Sequence, residues 1–384
     1  MKRTLNNTFF LGTLLAIAMV FLLGFAACSG PSEVSSSQVS SSVEANSMPS
    51  LLPAGTYALG LGAQTAVMGS SAVNEATEKW PGTAEAFTTV CAVLLDSQGN
   101  IADVRFDKTH MGANFTAEGM LSTVLGYQYN SFYDDEAGSE PVLESDLGYS
   151  WCTQIDAFCT WAKGQSAYDV LHMPLVAGDV PGSFVADEQL SAVVTIDISD
   201  MLHALQNAVA NAVDIQAESG ISRLGLTLYA QFSPYSADAA LDTDGQVIPG
   251  FVRFESNFGA MVLDGTGSIV GARFDATQND IYFDNLGALH GPNDDPTLTK
   301  VEKGNSYGMR RISSIGKEWF EQIAALEQWV LGKTPEEVAS LLEGPGKIDT
   351  SDVDLVASVT IDISDFVHIV QRNADRLRSS AGGE

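Results

Sequence analysis

Asp200, His203 and Gln206 stand at i, i+3 and i+6, and the trio returns near the end of the chain as Asp365, His368 and Gln371. A histidine beside a carboxylate on one helical face is the least that a general base needs. The same spacing suits a capped, solvated helix start equally well. No nucleophile stands at a recognisable distance, and GxSxG, HExxH, P-loop and GxGxxG patterns are missing from the sequence. A hydrolase working through His203 or His368 is therefore the weakest of the functional classes open to this chain.

Other polar residues recur in the same way. Gln154 and Gln322 follow Trp151 and Trp319 by three positions, which places each amide near a buried helix face where it must find partners. A structural bond to a neighbouring strand and a contact to a ligand both meet that need. Arg105 and Arg273 precede Asp107 and Asp275 by two residues, so each Arg shares a strand face with its Asp. A surface ion pair or an anion-binding guanidinium follows from that placement. The second copy alone has Lys303, Tyr307 and Lys317, cationic and aromatic groups suited to an anionic ring compound. With Trp319, Asp362 and His368 they make the candidate ligand-binding set.

What singles these residues out is a block of chain that occurs twice. Leu95-Asp96-Ser-Gln-Gly99-Asn-Ile101-Ala-Asp-Val-Arg105-Phe106-Asp107 recurs 168 residues on as Leu263-Asp264-Gly-Thr-Gly267-Ser-Ile269-Val-Gly-Ala-Arg273-Phe274-Asp275. Trp151, Gln154, Ile155, Trp161 and Gly164 reappear at that offset as Trp319, Gln322, Ile323, Trp329 and Gly332. Val194-Thr195-Ile196-Asp197-Ile198-Ser199-Asp200 comes back 165 residues later as Val359-Thr360-Ile361-Asp362-Ile363-Ser364-Asp365. A period this long predicts two tandem domains, 51–214 and 215–384, rather than a short-repeat solenoid.

Each unit is expected to be α+β, a small antiparallel sheet packed with helices. A first strand runs near Tyr57–Leu61 or Arg223–Leu226, and a hairpin follows around Asp96-Ser-Gln-Gly99 or Asp264-Gly-Thr-Gly267, with Asp starting the bend and Gly supplying positive φ. Apolar residues at +4, +7 and +11 from Trp151 and from Trp319 predict a helix ended by Gly164 or Gly332. Thr334-Pro335-Glu336-Glu337 then has the form of a capping box with proline in the first turn, and Ser166 to Asp169 is the weaker equivalent. Alternation in Val-Thr-Ile-Asp-Ile predicts a closing strand, with Thr360 and Asp362 on its polar face, before a helix that Asp365 caps.

The first 28 residues set the address. Lys2-Arg3, an apolar run from Phe9 to Ala27 and small residues before Cys28 form a secretory signal. The ending resembles the bacterial lipobox, with Phe25 where Leu is commoner, and implies lipidation at Cys28 and attachment to the outer face of the cell membrane. Residues 29–50, rich in Ser and without aromatics, read as a tether.

The 384-residue chain carries 48 acids against 19 Lys and Arg, a net charge of −29. Losing Lys2 and Arg3 with the signal leaves 17 bases against 48 acids, or −31. Such a field excludes nucleic acid as a partner. Cys91, Cys152 and Cys159 show no CxxC or Cys/His spacing, so no metal site is expected.

The order of parts, a hairpin with an Asp-x-x-Gly turn and a C-terminal segment entering a helix, resembles the bacterial FMN-binding domain of extracytoplasmic flavoproteins. Asp354-Leu-Val-Ala357-Ser358-Val359-Thr360 keeps the Asp-to-Thr spacing of that family's flavinylation motif, although Ser358 stands where the motif has glycine and Val359 occupies the following position. The resemblance implies Thr360, with less support Thr195, as an FMN attachment point, and Arg273 and Gln322 as phosphate or isoalloxazine contacts. The chain is also similar to uncharacterised two-copy lipoproteins of anaerobic bacteria, through Tyr307-Gly308-Met309, Gly316-Lys-Glu-Trp319 and Gly332-Lys333-Thr334. The expectation is a non-catalytic, lipid-anchored extracytoplasmic protein that binds a small molecule or an envelope protein, and the alternative is an FMN-carrying electron-transfer protein.

Overall fold

The computed structural model describes residues 52–70, 82–122, 127–129, 131–133, 148–177, 183–290, 297–344, 347–348 and 353–382. Cys28 and the Ser-rich segment after it lie outside the described residues. Among these residues 28% are helical and 39% are in strands, arranged as small antiparallel sheets with helices.

Strand alternation produces the sheets. The first is built from β1 (Gly55–Ser70), β2 (Gly82–Leu95), β3 (Ile101–Phe115) and β4 (Tyr127–Tyr129). A minor pair, β5 (Leu175–Val176) and β6 (Phe184–Val185), stands apart, and β7 (Val213–Ala217) returns to the edge of β1, giving the order β4-β3-β2-β1-β7. The second sheet begins with β8 (Ile221–Phe232), continues past an exposed ribbon of β9 (Ala240–Leu241) and β10 (Val247–Ile248), and takes in β11 (Gly250–Asp264), β12 (Ile269–Phe283) and β13 (Leu289–His290). Its order is β13-β12-β11-β8, and β14 (Leu342–Gly344) pairs separately with β15 (Lys347–Ile348).

Both long hairpins turn as their sequences require. Asp96 Oδ1 accepts the amides of Gln98 (2.8 Å) and Asn100 (2.9 Å), and Asp264 Oδ1 accepts those of Thr266 (2.8 Å) and Ser268 (3.0 Å). Gly99 and Gly267 supply φ of 81° and 86°. These Asp-x-x-Gly stretches are turns, not ion loops.

The helices are α1 (Trp151–Ala162), α2 (Ala167–Leu171), α3 (Ser199–Ala210), α4 (Lys300–Lys303), α5 (Trp319–Val330), α6 (Pro335–Ala339), α7 (Val353–Ser358) and α8 (Ser364–Gly382). Gly164 and Gly332 end α1 and α5 with positive φ, and the Thr334/Glu337 capping box opens α6. Trp151, Ile155 and Phe158 of α1 and Met201, Ala204 and Leu205 of α3 bury Val93, Val104 and Phe106 on the outer face of the first sheet. Trp319, Ile323 and Leu326 of α5 and Phe366, Val367 and Val370 of α8 do the same over Met261, Ile269 and Phe274. The helix α3 lies so close to β1 that a Cβ on Gly62 would collide with the Ala204 and Ala208 backbone.

The other faces of the two sheets pack on each other. Leu59, Leu61 and Leu94 meet Leu226, Leu228 and Phe258, and further along Phe115 stacks on Phe283 with centroids 4.6 Å apart. The layers therefore run helix, sheet, sheet, helix. The first sheet closes with β7 at Ala217, just past the expected boundary at 214/215.

Three local expectations need correction. The stretches 194–198 and 359–363 are not strands but irregular connections that bend at Ile196 and Ile361, where the side-chain amide oxygens of Gln154 and Gln322 take backbone N–H groups that a ladder would have used. Asp365 does not cap α8. That role falls to Asp362, whose Oδ1 accepts the Ser364 amide at 2.9 Å and its hydroxyl at 2.6 Å, as Asp197 does for Ser199. Finally, neither Arg pairs with its retained Asp: Arg105 approaches Asp103 and Arg273 approaches Glu327, while Asp107 and Asp275 are buried.

Candidate functional site

Gln322 is fully buried on α5, and its environment is repeated around Gln154 on α1. Gln322 Oε1 accepts from the Thr360 amide (2.8 Å), the Thr360 hydroxyl (3.1 Å) and the Ile361 amide (3.3 Å). Gln154 Oε1 accepts from the same three groups of Thr195 and Ile196 at 2.8, 3.2 and 3.2 Å. The Nε2 of Gln154 donates to the Tyr149 carbonyl, and that of Gln322 to the Lys317 carbonyl and the Ser313 hydroxyl. One amide thus ties the segment before the last helix to the helix that starts at Trp. This bond gives the retained Gln and Thr a structural role.

A second bond repeats beside β3 and β12. Asp107 accepts from the Ser131 hydroxyl (2.7 Å) and the Phe132 amide (3.1 Å). Asp275 accepts from the Val301 amide (3.1 Å) and its own neighbour Ala276 (2.7 Å), and the Thr299 hydroxyl also serves it. Burial pushes the Asp275 carboxyl up to about 7. Ser131 and Thr299 escape notice by residue identity, yet they stand at the 168-residue offset, and that signal was available. In the first half Arg376 of α8 adds its guanidinium to Asp107 at 3.4 Å while donating to the Leu226 carbonyl at 2.7 Å.

Arg273 sits between the halves. Its Nη1 donates to the Asn211 carbonyl at 2.9 Å, at the end of α3, and its Nε lies 3.4 Å from Glu327, a charge contact too long for a good hydrogen bond. Burial raises the Glu327 carboxyl to about 7 against the pull of Arg273.

The 297–318 segment covers the outer face of the second sheet. A Thr299/Glu302 capping box starts α4, and two 3-10 turns, Gly304–Tyr307 and Met309–Arg311, follow. The Lys300 ammonium lies 5.7 Å from the Tyr307 ring and 5.5 Å from the Trp319 ring, and burial lowers its pKa against the pull of Glu255 and Asp275. Burial likewise lowers Lys303 and raises the Tyr307 phenol. Lys303 and Tyr307 are half-buried and reachable, whereas Trp319 is 4% exposed and packs against Phe366. Beyond Tyr307 an open depression of about 510 Å³ is lined by Asn305, Ser306, Gly308, Arg310, Arg311 and Glu318.

The Asp/His trios do not assemble into a base. His368 is exposed and its Nδ1 meets the Ser364 carbonyl of its own helix at 2.9 Å, while Asp365 receives Asn257 Nδ2 at 2.8 Å. Burial, then the neighbouring Asp362, raises the Asp365 carboxyl. Among the described residues no group of three His, Cys, Asp or Glu side chains could hold a metal ion.

The residues that the flavin resemblance implies do not form one surface. Thr360 and Gln322 meet, but Gln322 is sealed inside and Arg273 is committed to Asn211 and Glu327. This arrangement does not fit an FMN held by Arg273 and Gln322 beside Thr360. No protein-family profile, curated protein or solved structure matches the chain.

Proposed function

We propose that this chain is a lipid-anchored extracytoplasmic binding protein, made of two copies of one ancestral module, whose second half carries the recognition surface. One observation carries the reading. Four pairs of polar residues common to both halves, Gln154/Gln322, Thr195/Thr360, Asp107/Asp275 and Asp197/Asp362, are spent on bonds inside the fold. They hold segments in place, and the retained Asp365 and His368 hydrogen-bond to Asn257 and to the Ser364 carbonyl. The half-buried cationic and aromatic groups that distinguish the halves, Lys303 and Tyr307 with their neighbours, belong to the 297–318 cover of the second sheet, where an anionic ring could lie against Tyr307 beside the Lys303 ammonium.

The address rests on the lipobox-like Cys28, and among the described residues no helix is long and apolar enough to cross a membrane. Three measurements test the proposal. Acyl-chain labelling should mark the chain and be lost in Cys28→Ser. In a thermal-shift screen of aromatic carboxylates and phosphates, hits should disappear in Lys303→Ala and Tyr307→Ala. A hydrolytic activity abolished by His368→Ala or His203→Ala would overturn the non-catalytic assignment.

A further inference from the structure

The strongest charge anomaly in the molecule is local. Residues 300–317 contain Lys300, Lys303, Arg310, Arg311 and Lys317 against the single acid Glu302, a net of +4 in a chain of −29. The counterpart in the first half, 132–149, contains Asp134, Asp135, Glu136, Glu140, Glu144 and Asp146 and no base, a net of −6. The basic run is also held in shape. Glu318 turns inward, accepting the Met309 amide at 2.8 Å, so its charge is withdrawn from the surface. Arg310 is propped by Glu321 at 2.7 Å and Asn305 at 3.3 Å with half its side chain in solvent, and Arg311 beside it is exposed.

The second observation is apolar. Ile312, next to the two arginines, is 82% exposed, more than any other large hydrophobic side chain described. It is presented by a fixed turn, since the amides of Ile312 and Ser313 both donate to the Met309 carbonyl at 2.9 Å. An exposed apolar side chain next to two arginines is the pattern of a surface that enters the boundary between headgroups and acyl chains.

We propose that Arg310, Arg311 and Ile312 form a contact with an anionic lipid bilayer, so that the body docks on the membrane that holds its anchor. This rests on lipid attachment at Cys28. The acidic remainder is repelled by anionic headgroups, so one orientation is favoured. Each arginine contributes roughly fivefold to the docking equilibrium, and removing both lowers it roughly 25-fold.

The test is hydrogen exchange on the lipidated full chain, reconstituted through its anchor into phosphatidylcholine vesicles with or without phosphatidylglycerol. The expected result is protection of residues 309–313 only with phosphatidylglycerol, lost at high salt, in Arg310→Ala/Arg311→Ala and, in part, in Ile312→Ser. Equal exchange in both vesicles overturns the proposal. Protection in phosphatidylcholine vesicles brought about by free glycerol phosphate also overturns it, assigning the arginines to a soluble phosphate. The mass of the N-terminal peptide reports acylation separately, so a missing anchor and a missing contact give different results.

Discussion

Replacing Glu327 by Gln removes one proton from the pH dependence of stability. The carboxyl is 13% exposed, receives the Phe274 amide at 2.7 Å and lies 3.4 Å from Arg273, yet burial outweighs these and lifts it from 4.5 to about 7. Below pH 4.5 it is protonated folded or unfolded, and above 7 it is ionised in both states. Between those limits only the unfolded chain gives up the proton, so stability falls as pH rises. The span corresponds to about 3 kcal/mol at about 1.4 kcal/mol per pH unit. Gln keeps an oxygen for the Phe274 amide and never ionises. Glu327→Gln therefore matches the wild type near pH 4.5 and exceeds it by about 3 kcal/mol at pH 8. Urea unfolding at fixed ionic strength across that range measures the difference, and Asp275, which also titrates near 7, is common to both proteins and cancels. Parallel curves for the two proteins would refute the assignment of a buried, neutral-pH carboxyl to this position.

Gln322→Leu leaves the Thr360 and Ile361 amides without their acceptor and costs about 2–4 kcal/mol, as does Gln154→Leu in the first half, read as a fall in unfolding midpoint. Arg376→Ala takes the guanidinium from Asp107, 1% exposed, which keeps its bonds from Ser131 and Phe132, and lowers stability by about 3 kcal/mol, with Asp107→Asn restoring part of the loss. Protein made in a flavinylating host is expected to be colourless after denaturation, and a yellow band lost in Thr360→Ala would reverse that expectation.

Features set by neighbours in sequence were legible. Asp96 and Gly99 define a turn by local bonds, and the apolar spacing after Trp151 and Trp319 defines a helix, so both appear where the pattern places them. Features set by distant partners were not. Val-Thr-Ile-Asp-Ile alternates like a strand, but its amides are claimed by a glutamine about 40 residues away in sequence. Arg105 and Asp107 share a strand parity, yet Ser131 and Phe132 close over the aspartate and leave the arginine outside. The repeat marked Gln154, Gln322, Thr195 and Thr360 correctly as special, but persistence in two copies is equally the mark of a bond that both copies need. The basic cover over the second sheet was read through Lys303, Tyr307 and Lys317, without Arg310, Arg311 or Ile312, because the exposure of Ile312 depends on a turn no periodicity announces.

The back-to-back sheets limit what either half can do alone. Cut after Ala217, the first half would offer water a wall of Leu59, Leu61, Ala63, Val90, Ala92 and Leu94. A surface of that kind seeks a mate, and the nearest match is a twin of itself turned about a two-fold axis. Joining both halves in one polypeptide fixes the stoichiometry at one to one and leaves the outward layers free to diverge, as the basic 300–317 cover of the second half does.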